Sequence, residues 1–260
     1  MQIDLNADLA EGYGPWRMGD DEALLDMVSS ANIACGFHAG DPLIMEQAVR
    51  AAAARGVDIG AHVGFPDRQG FGRRAMQIEP TELAAMVVYQ LGALSGITRA
   101  NGARMTHMSF HGALGNMAAA DEALARPLVE AVARFDPALI VVSSTSRAIE
   151  SAAGACGLRV ATTFLADRAY DAQGLLVPRR LPGSVIHDRD AVLTRVRRLL
   201  REGVVETYDG TVIAAPAHSI LLHGDTEGAV ALARDIRREI ESGGGVIRPV
   251  SSLMGEAQRA

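Results

Sequence analysis

Apolar residues along the chain fall into short aliphatic or β-branched runs separated by longer segments of helical spacing. The runs lie at Ile3 to Asn6, Ser30 to Phe37, Val57 to His62, Met105 to His111, Ala138 to Ser144, Val160 to Ala166 and Ser219 to His223. Each has the length of a strand buried on both faces. The segments between them carry helix punctuation: Asp41 then Pro42 at one start, Gly56 after Arg55 at its end, Pro80 opening the next helix and Asn101-Gly102 closing it. A parallel crossover needs a helix-length connection, so this strict alternation predicts a parallel sheet covered by helices. Seven βα units predict a distorted (β/α)7 barrel, with an open doubly wound sheet as the alternative. The pattern shows no internal repeat and reads as one α/β domain over residues 1–250, followed by a C-terminal tail at 251–260.

Composition narrows the picture. With 260 residues, 48% of them hydrophobic, the chain can build one large core. Stretches such as Ala138 to Val142 are too short to span a bilayer, and Met1 to Leu5 carries an acid where an export signal has a basic region, so no membrane or export segment is expected. Cys35 and Cys156 make no disulfide framework, which fits a reducing cytoplasmic setting, and Cys35 reads as a buried thiol. A net charge of -6 argues against nucleic acid as a partner, and the basic run Arg195 to Arg201 reads as a solvated helix face. The sequence contains no lysine, which excludes a Walker A loop, a Schiff-base lysine and a lysine general base. Gly12-Tyr13-Gly14 lacks the third glycine of a dinucleotide fingerprint, and Gly243-Gly244-Gly245 follows a helix where a phosphate loop precedes one.

In a parallel α/β fold the functional loops leave the carboxyl ends of the strands, so polar residues just past each run converge on one mouth. Here these are Asn6, Asp8 and Glu11; His38 and Asp41; His62; His107 and His111; Asp167 and Arg168; and His223 and Asp225. One histidine at a strand end is more often a satisfied core residue than a functional one, but so many beside several carboxylates favour chemistry. Histidine and aspartate together can hold a divalent metal that activates water, or act as general acid and base near neutral pH. The spacing leaves both open, since neither HExxH nor paired CxxC is present. The loop from Gly64 to Arg74 adds glycines that let a ligand approach and three arginines, Arg68, Arg73 and Arg74, that can fork onto carboxylate or phosphate oxygens. A solvated surface loop is an equal reading of it.

Several of these segments resemble the LamB/YcsF family, to which the A component of bacterial 5-oxoprolinase belongs. They are Asp4 to Leu9, Ser30 to Asp41, Gly60-Ala61-His62, Phe71 to Arg74, Ala166 to Tyr170, Leu176 to Arg179 and Leu222 to Asp225, in order over about residues 3 to 240. The resemblance implies a distorted (β/α)7 barrel similar to glycoside hydrolase and deacetylase barrels. It also implies an enzyme that opens the 5-oxoproline lactam to L-glutamate with ATP, working together with B and C subunits. Carried onto this sequence, it implies Asp8, His38, His62, His111 and Asp167 as catalytic residues and Asn6, Arg73, Arg168 and His223 as substrate-binding ones, with ATP and magnesium as cofactors and a bound divalent metal left open. The chain departs from the family at Ser109-Phe110, where the family has Lys-Pro, and at Val63, where it has proline. Two other readings remain: a metal-dependent amide or acetyl hydrolase acting without ATP, with the same residues as ligands, and a non-catalytic regulatory or assembly component, which the Ser109 and Phe110 departures permit.

Overall fold

A computed structural model of the protein describes residues 1–226 and 228–255. In chain order its elements are β1 (Gln2–Leu9), α1 (Asp21–Leu25), β2 (Ser30–Ala34), α2 (Pro42–Arg55), β3 (Asp58–Val63), α3 (Pro80–Ala100), β4 (Met105–Phe110), α4 (Gly112–Ala120), α5 (Glu122–Phe135), β5 (Ile140–Ser143), α6 (Arg147–Ala155), β6 (Arg159–Leu165), α7 (Arg189–Glu202), β7 (Val204–Glu206), β8 (Val212–Ala214), β9 (Ser219–His223), α8 (Ala229–Ser242), β10 (Val246–Ile247) and α9 (Val250–Met254). Strands β1 to β6 and β9 pair in parallel, and β9 pairs with both β6 and β1. That double pairing closes a seven-stranded barrel and excludes the open sheet. The antiparallel β7–β8 hairpin is inserted between α7 and β9, and β10 extends the edge of β1 at Gln2 and Ile3.

The helix signals act as their chemistry dictates. Asp41 accepts hydrogen bonds from the Leu43 and Ile44 amides, Pro42 follows as the first helical residue, and Gly56 ends α2 at φ 67°. Helix α3 is long and apolar enough by composition to cross a bilayer, yet Leu83, Val87, Leu91 and Leu94 are buried in the barrel's core cluster. The run from Ser30 to Phe37 is not all strand: Gly36 takes φ 90° and its amide bonds to the Ala39 carbonyl, turning the chain after Ala34. The run Arg195 to Arg201, expected to be a solvated face, is partly engaged. Arg195 donates to the Arg168 carbonyl, and Arg197 forks onto Glu239. Of the segment read as a tail, 251–254 belongs to α9, which packs on β1, β4 and β6; residues 256–260 lie outside the described residues.

Inside the barrel, inward side chains at every second position stack in polar layers. At the amino end the Ser29, Ser30 and Ser219 hydroxyls all donate to the Asp4 carboxylate. Burial pushes Asp4 up to about 6 against those three hydrogen bonds. In the middle layer Asn32 Oδ1 accepts from His107 Nε2 at 3.1 Å and from Asn6 Nδ2 at 3.4 Å. Burial lowers His107 to about 4, so it sits there as a neutral imidazole. The carboxyl-end layer holds Asp8, His62, Ser109 and His223, set side by side by the registers Asp8↔His223 and His62↔Ser109.

Candidate active site

The carboxyl-end layer and the loops above it form two side-chain relays that meet at Asp8. One Asp8 oxygen accepts from Asn32 Nδ2 at 2.9 Å; the other lies 3.4 Å from His62 Nε2 and 4.0 Å from His223 Nε2. Burial alone would raise the Asp8 pKa, but the two imidazoles outweigh it and hold the carboxyl well below its ordinary range.

On the first relay, His62 Nδ1 meets Ser109 Oγ at 2.7 Å, and His62 Nε2 meets His111 Nδ1 at 2.9 Å. His111 Nε2 donates to the Phe71 carbonyl at 2.8 Å. The His38 ring stacks on His111 at 3.8 Å, and its Nε2 lies 3.3 Å from Glu11 Oε1. Burial, then neighbouring histidines, pushes His38 and His111 well below the ordinary imidazole range. Burial, then the Asp8 and Asp225 carboxylates, pushes Glu11 well above the ordinary carboxylate range. Together Glu11, His38, His62 and His111 offer four ligand atoms within 4.8 Å of one another.

On the second relay, the Asp167 carboxylate accepts from His223 Nδ1 at 2.8 Å. Burial opposes a charged imidazole here, but Asp167, then Asp8, holds the His223 pKa above its ordinary value. His223 Nε2 then faces Asp8 and, at 3.4 Å, the Arg179 guanidinium.

The segment from Gly64 to Arg74 roofs the first relay. Gln90 pins its start by bonding both the amide and the carbonyl of Gly64. Phe71 adopts φ 53°, a conformation a phenylalanine rarely takes, and thereby aims its carbonyl at His111. Its ring lies edge-on to both His38 and His111. Gly72 is required beneath it, since a Cβ there would come within 2.7 Å of His38 Cβ. Of the loop's three arginines, Arg74 pairs with Asp67, and Arg68 bonds the Gly36 carbonyl and lies over the Tyr13 ring. Arg73 turns to the mouth and pairs with Asp225 at 2.8 Å.

The structure therefore brings Asp8, His38, His62, His111, Asp167 and His223 together, with Arg73 at the rim and Asn6 one layer below. It does not bring Arg168 there: that guanidinium is buried and donates to the Ser184 and Val177 carbonyls, tying down the loop after β6. Three participants have no role assigned to them by the sequence. Glu11 is turned inward by Ala10 at φ 60°, Asn32 lies on the inward pleat of β2, and Arg179 reaches in from the loop after β6. The pleat alone would have flagged Asn32, two residues after Ser30; nothing local marks the turn at Ala10.

The LamB/YcsF family model matches residues 3–255. The chain is 67% identical over 255 residues to a 5-oxoprolinase A subunit of Ralstonia nicotianae, covering 98% of each. It is 68% identical over 255 residues to a 5-oxoprolinase A subunit of Pseudomonas syringae pv. tomato, covering 98% of this chain and 100% of the relative. Among solved structures, the lactam utilization protein from Thermus thermophilus superposes with a TM-score of 0.89 at 43% identity, covering 95% of this chain and 99% of that one.

Proposed function

Since the chain belongs to the LamB/YcsF family, we propose that it is the A component of a cytoplasmic 5-oxoprolinase that opens the 5-oxoproline lactam to L-glutamate, coupled to ATP and assembled with B and C subunits. The names of its relatives support the substrate and the complex. The observation that carries the chemistry is the convergence of two histidine relays on Asp8.

A lactam carbonyl is a poor electrophile, and phosphorylation of its oxygen by ATP makes it a good one. Water must then be deprotonated and aimed at the ring carbon, the departing nitrogen must receive a proton as the C–N bond breaks, and a second water must hydrolyse the resulting glutamyl phosphate to glutamate and inorganic phosphate. Asp8 supplies the base, and His62, whose far nitrogen is fixed by Ser109, lies against the same carboxylate. His223, whose pKa Asp167 holds above its ordinary value against burial, supplies the acid on the opposite side of Asp8. Arg73 and Arg179 at the rim match the substrate carboxylate, because a guanidinium fork fits two carboxylate oxygens. Absence of a nucleotide motif from the sequence favours ATP and its magnesium bound mainly on the partner subunits.

The test is reconstitution. The purified chain, candidate B and C subunits, and the three together are supplied with ATP and 5-oxoproline, while glutamate and ADP are measured. Stoichiometric glutamate and ADP from the three together, and little from any one alone, is the expected result. No glutamate from the complex, or full coupled activity from this chain alone, overturns the reading.

A further inference from the structure

We propose that Glu11, His38, His62 and His111 form a binding site for one divalent transition-metal ion, zinc by preference. Three imidazole nitrogens and one carboxylate oxygen are the donor set of such ions, and all four atoms lie within 4.8 Å of one another. A tetrahedral ion with bonds of about 2.0–2.1 Å sets its ligand atoms about 3.3–3.4 Å apart. Glu11 Oε1 lies 3.3 Å from His38 Nε2 and 3.5 Å from His111 Nδ1. The His62 Nε2 to His111 Nδ1 edge, at 2.9 Å, is the short one and widens on binding.

Two of the rings can present bare lone pairs to the cluster. A carbonyl oxygen only accepts, so the bond to Phe71 fixes the His111 proton on Nε2 and leaves a bare lone pair on Nδ1 facing the cluster. Ser109 Oγ accepts as well as donates, so His62 can carry its proton on Nδ1 and present Nε2 inward. A backbone carbonyl or hydroxyl on the far nitrogen is the arrangement that orients metal-binding histidines.

The cluster is also assembled before any ion arrives. His38 and His111 stack with 4° between their planes and His62 stands edge-on to both, so His38 turns out of the stack to bring its in-plane lone pair to an ion shared with His111. Gly64 and Gly72 are packed against the rings so closely that a Cβ would come within 2.5 Å of His38 Nδ1 in one case and 2.9 Å of His111 Cδ2 in the other. An ion there supplies Lewis-acid polarisation beside Asp8. The inference stands apart from the lactam reading, because its test reads metal and not turnover.

Tag-free full-length chain, stripped with a chelator, is titrated with zinc by calorimetry, and its zinc content after desalting is measured by mass spectrometry. The expected result is one zinc per chain, a melting temperature that rises with zinc, and at least a hundredfold weaker binding in Glu11→Gln and His38→Ala. His187→Ala, an exposed histidine outside the cluster, retains full binding. Glu11→Gln keeps the shape of the side chain, so it remains informative if His38→Ala misfolds. Substoichiometric zinc in the wild type, or equal affinity in wild type and Glu11→Gln, overturns the site.

Discussion

The ring of His107 occupies the space where Gly60 has no side chain: a Cβ on Gly60 would lie 2.2 Å from His107 Nε2. The two residues face each other in the β3–β4 register, and the ring so placed bonds Asn32, which in turn bonds Asp8. Glycine in a strand interior normally costs stability, so its presence here marks a close approach.

Gly60→Ala is therefore expected to destabilise the chain by about 1–3 kcal/mol, the range for overpacking a core. The displaced ring would also loosen Asn32 beneath Asp8. A double-mutant cycle with His107→Ala measures the coupling: once the ring is gone, adding the methyl should cost much less. Denaturant unfolding of the four proteins is the measurement, and additive losses would show that the contact does not constrain the barrel.

Asp4 gives a pH dependence to stability. Its folded pKa, about 6, lies above the ordinary 3.8, so between these values the folded state holds a proton that the unfolded chain has released. Stability from this group is present below the lower value and is lost as pH rises through the upper one. The difference between the two values corresponds to roughly 3 kcal/mol. Asp4→Asn removes this loss, so its stability relative to the wild type should improve between pH 4 and pH 8 by up to that amount. Urea unfolding of both proteins at the two pH values checks it, and a pH-independent difference would contradict it.

The acid role given to His223 predicts a shift in a pH–rate profile. An acid works only while protonated, so turnover falls as pH rises through the His223 pKa, which Asp167 and, more weakly, Asp8 hold up against burial. Asp167→Asn removes the main support, and the alkaline limb of kcat/KM in the reconstituted complex should move to lower pH. A limb that stays in place while activity falls would assign Asp167 a purely structural role.

Much of this was legible in the chain itself. All seven barrel strands stand where short apolar runs end in polar residues, because a strand buried on both faces leaves few other patterns open. Strand boundaries were less legible. The segment after Ala34 is as apolar as a strand, yet the left-handed Gly36 folds it into a turn, and β1 continues past Asn6 to carry Asp8 on an inward pleat. The strand-end histidines and Glu11 were visible as a group because they lie at the ends of their runs, but the inward turn of Glu11 depends on one backbone angle at Ala10. The three arginines of the roofing loop look alike in sequence; their fates differ because Asp67, Gly36 and Asp225 come near them only in the fold.

Arg168 and the rim arginines show the same ambiguity in a form that kinetics can separate. Arg168 follows Asp167 directly, but successive residues point in different directions, and its guanidinium satisfies two buried carbonyls. Burial pushes its pKa down to about 10, which leaves it charged at neutral pH and fully engaged as a donor. Arg168→Ala should strand the Ser184 and Val177 carbonyls at about 1–3 kcal/mol each, lowering the melting temperature whether or not substrate is present. Arg73 and Arg179 are half-buried at the mouth, where replacement strands no buried carbonyl of the kind Arg168 satisfies. Arg73→Ala or Arg179→Ala should leave the melt nearly unchanged and raise KM for the carboxylate substrate about tenfold or more, the scale of one lost charge-assisted hydrogen bond. The paired measurement is thermal unfolding of each isolated variant and steady-state kinetics of each reconstituted complex. A raised KM with an unchanged melt in Arg168→Ala would return that residue to the substrate site, and a lowered melt with an unchanged KM in both rim variants would remove Arg73 and Arg179 from it.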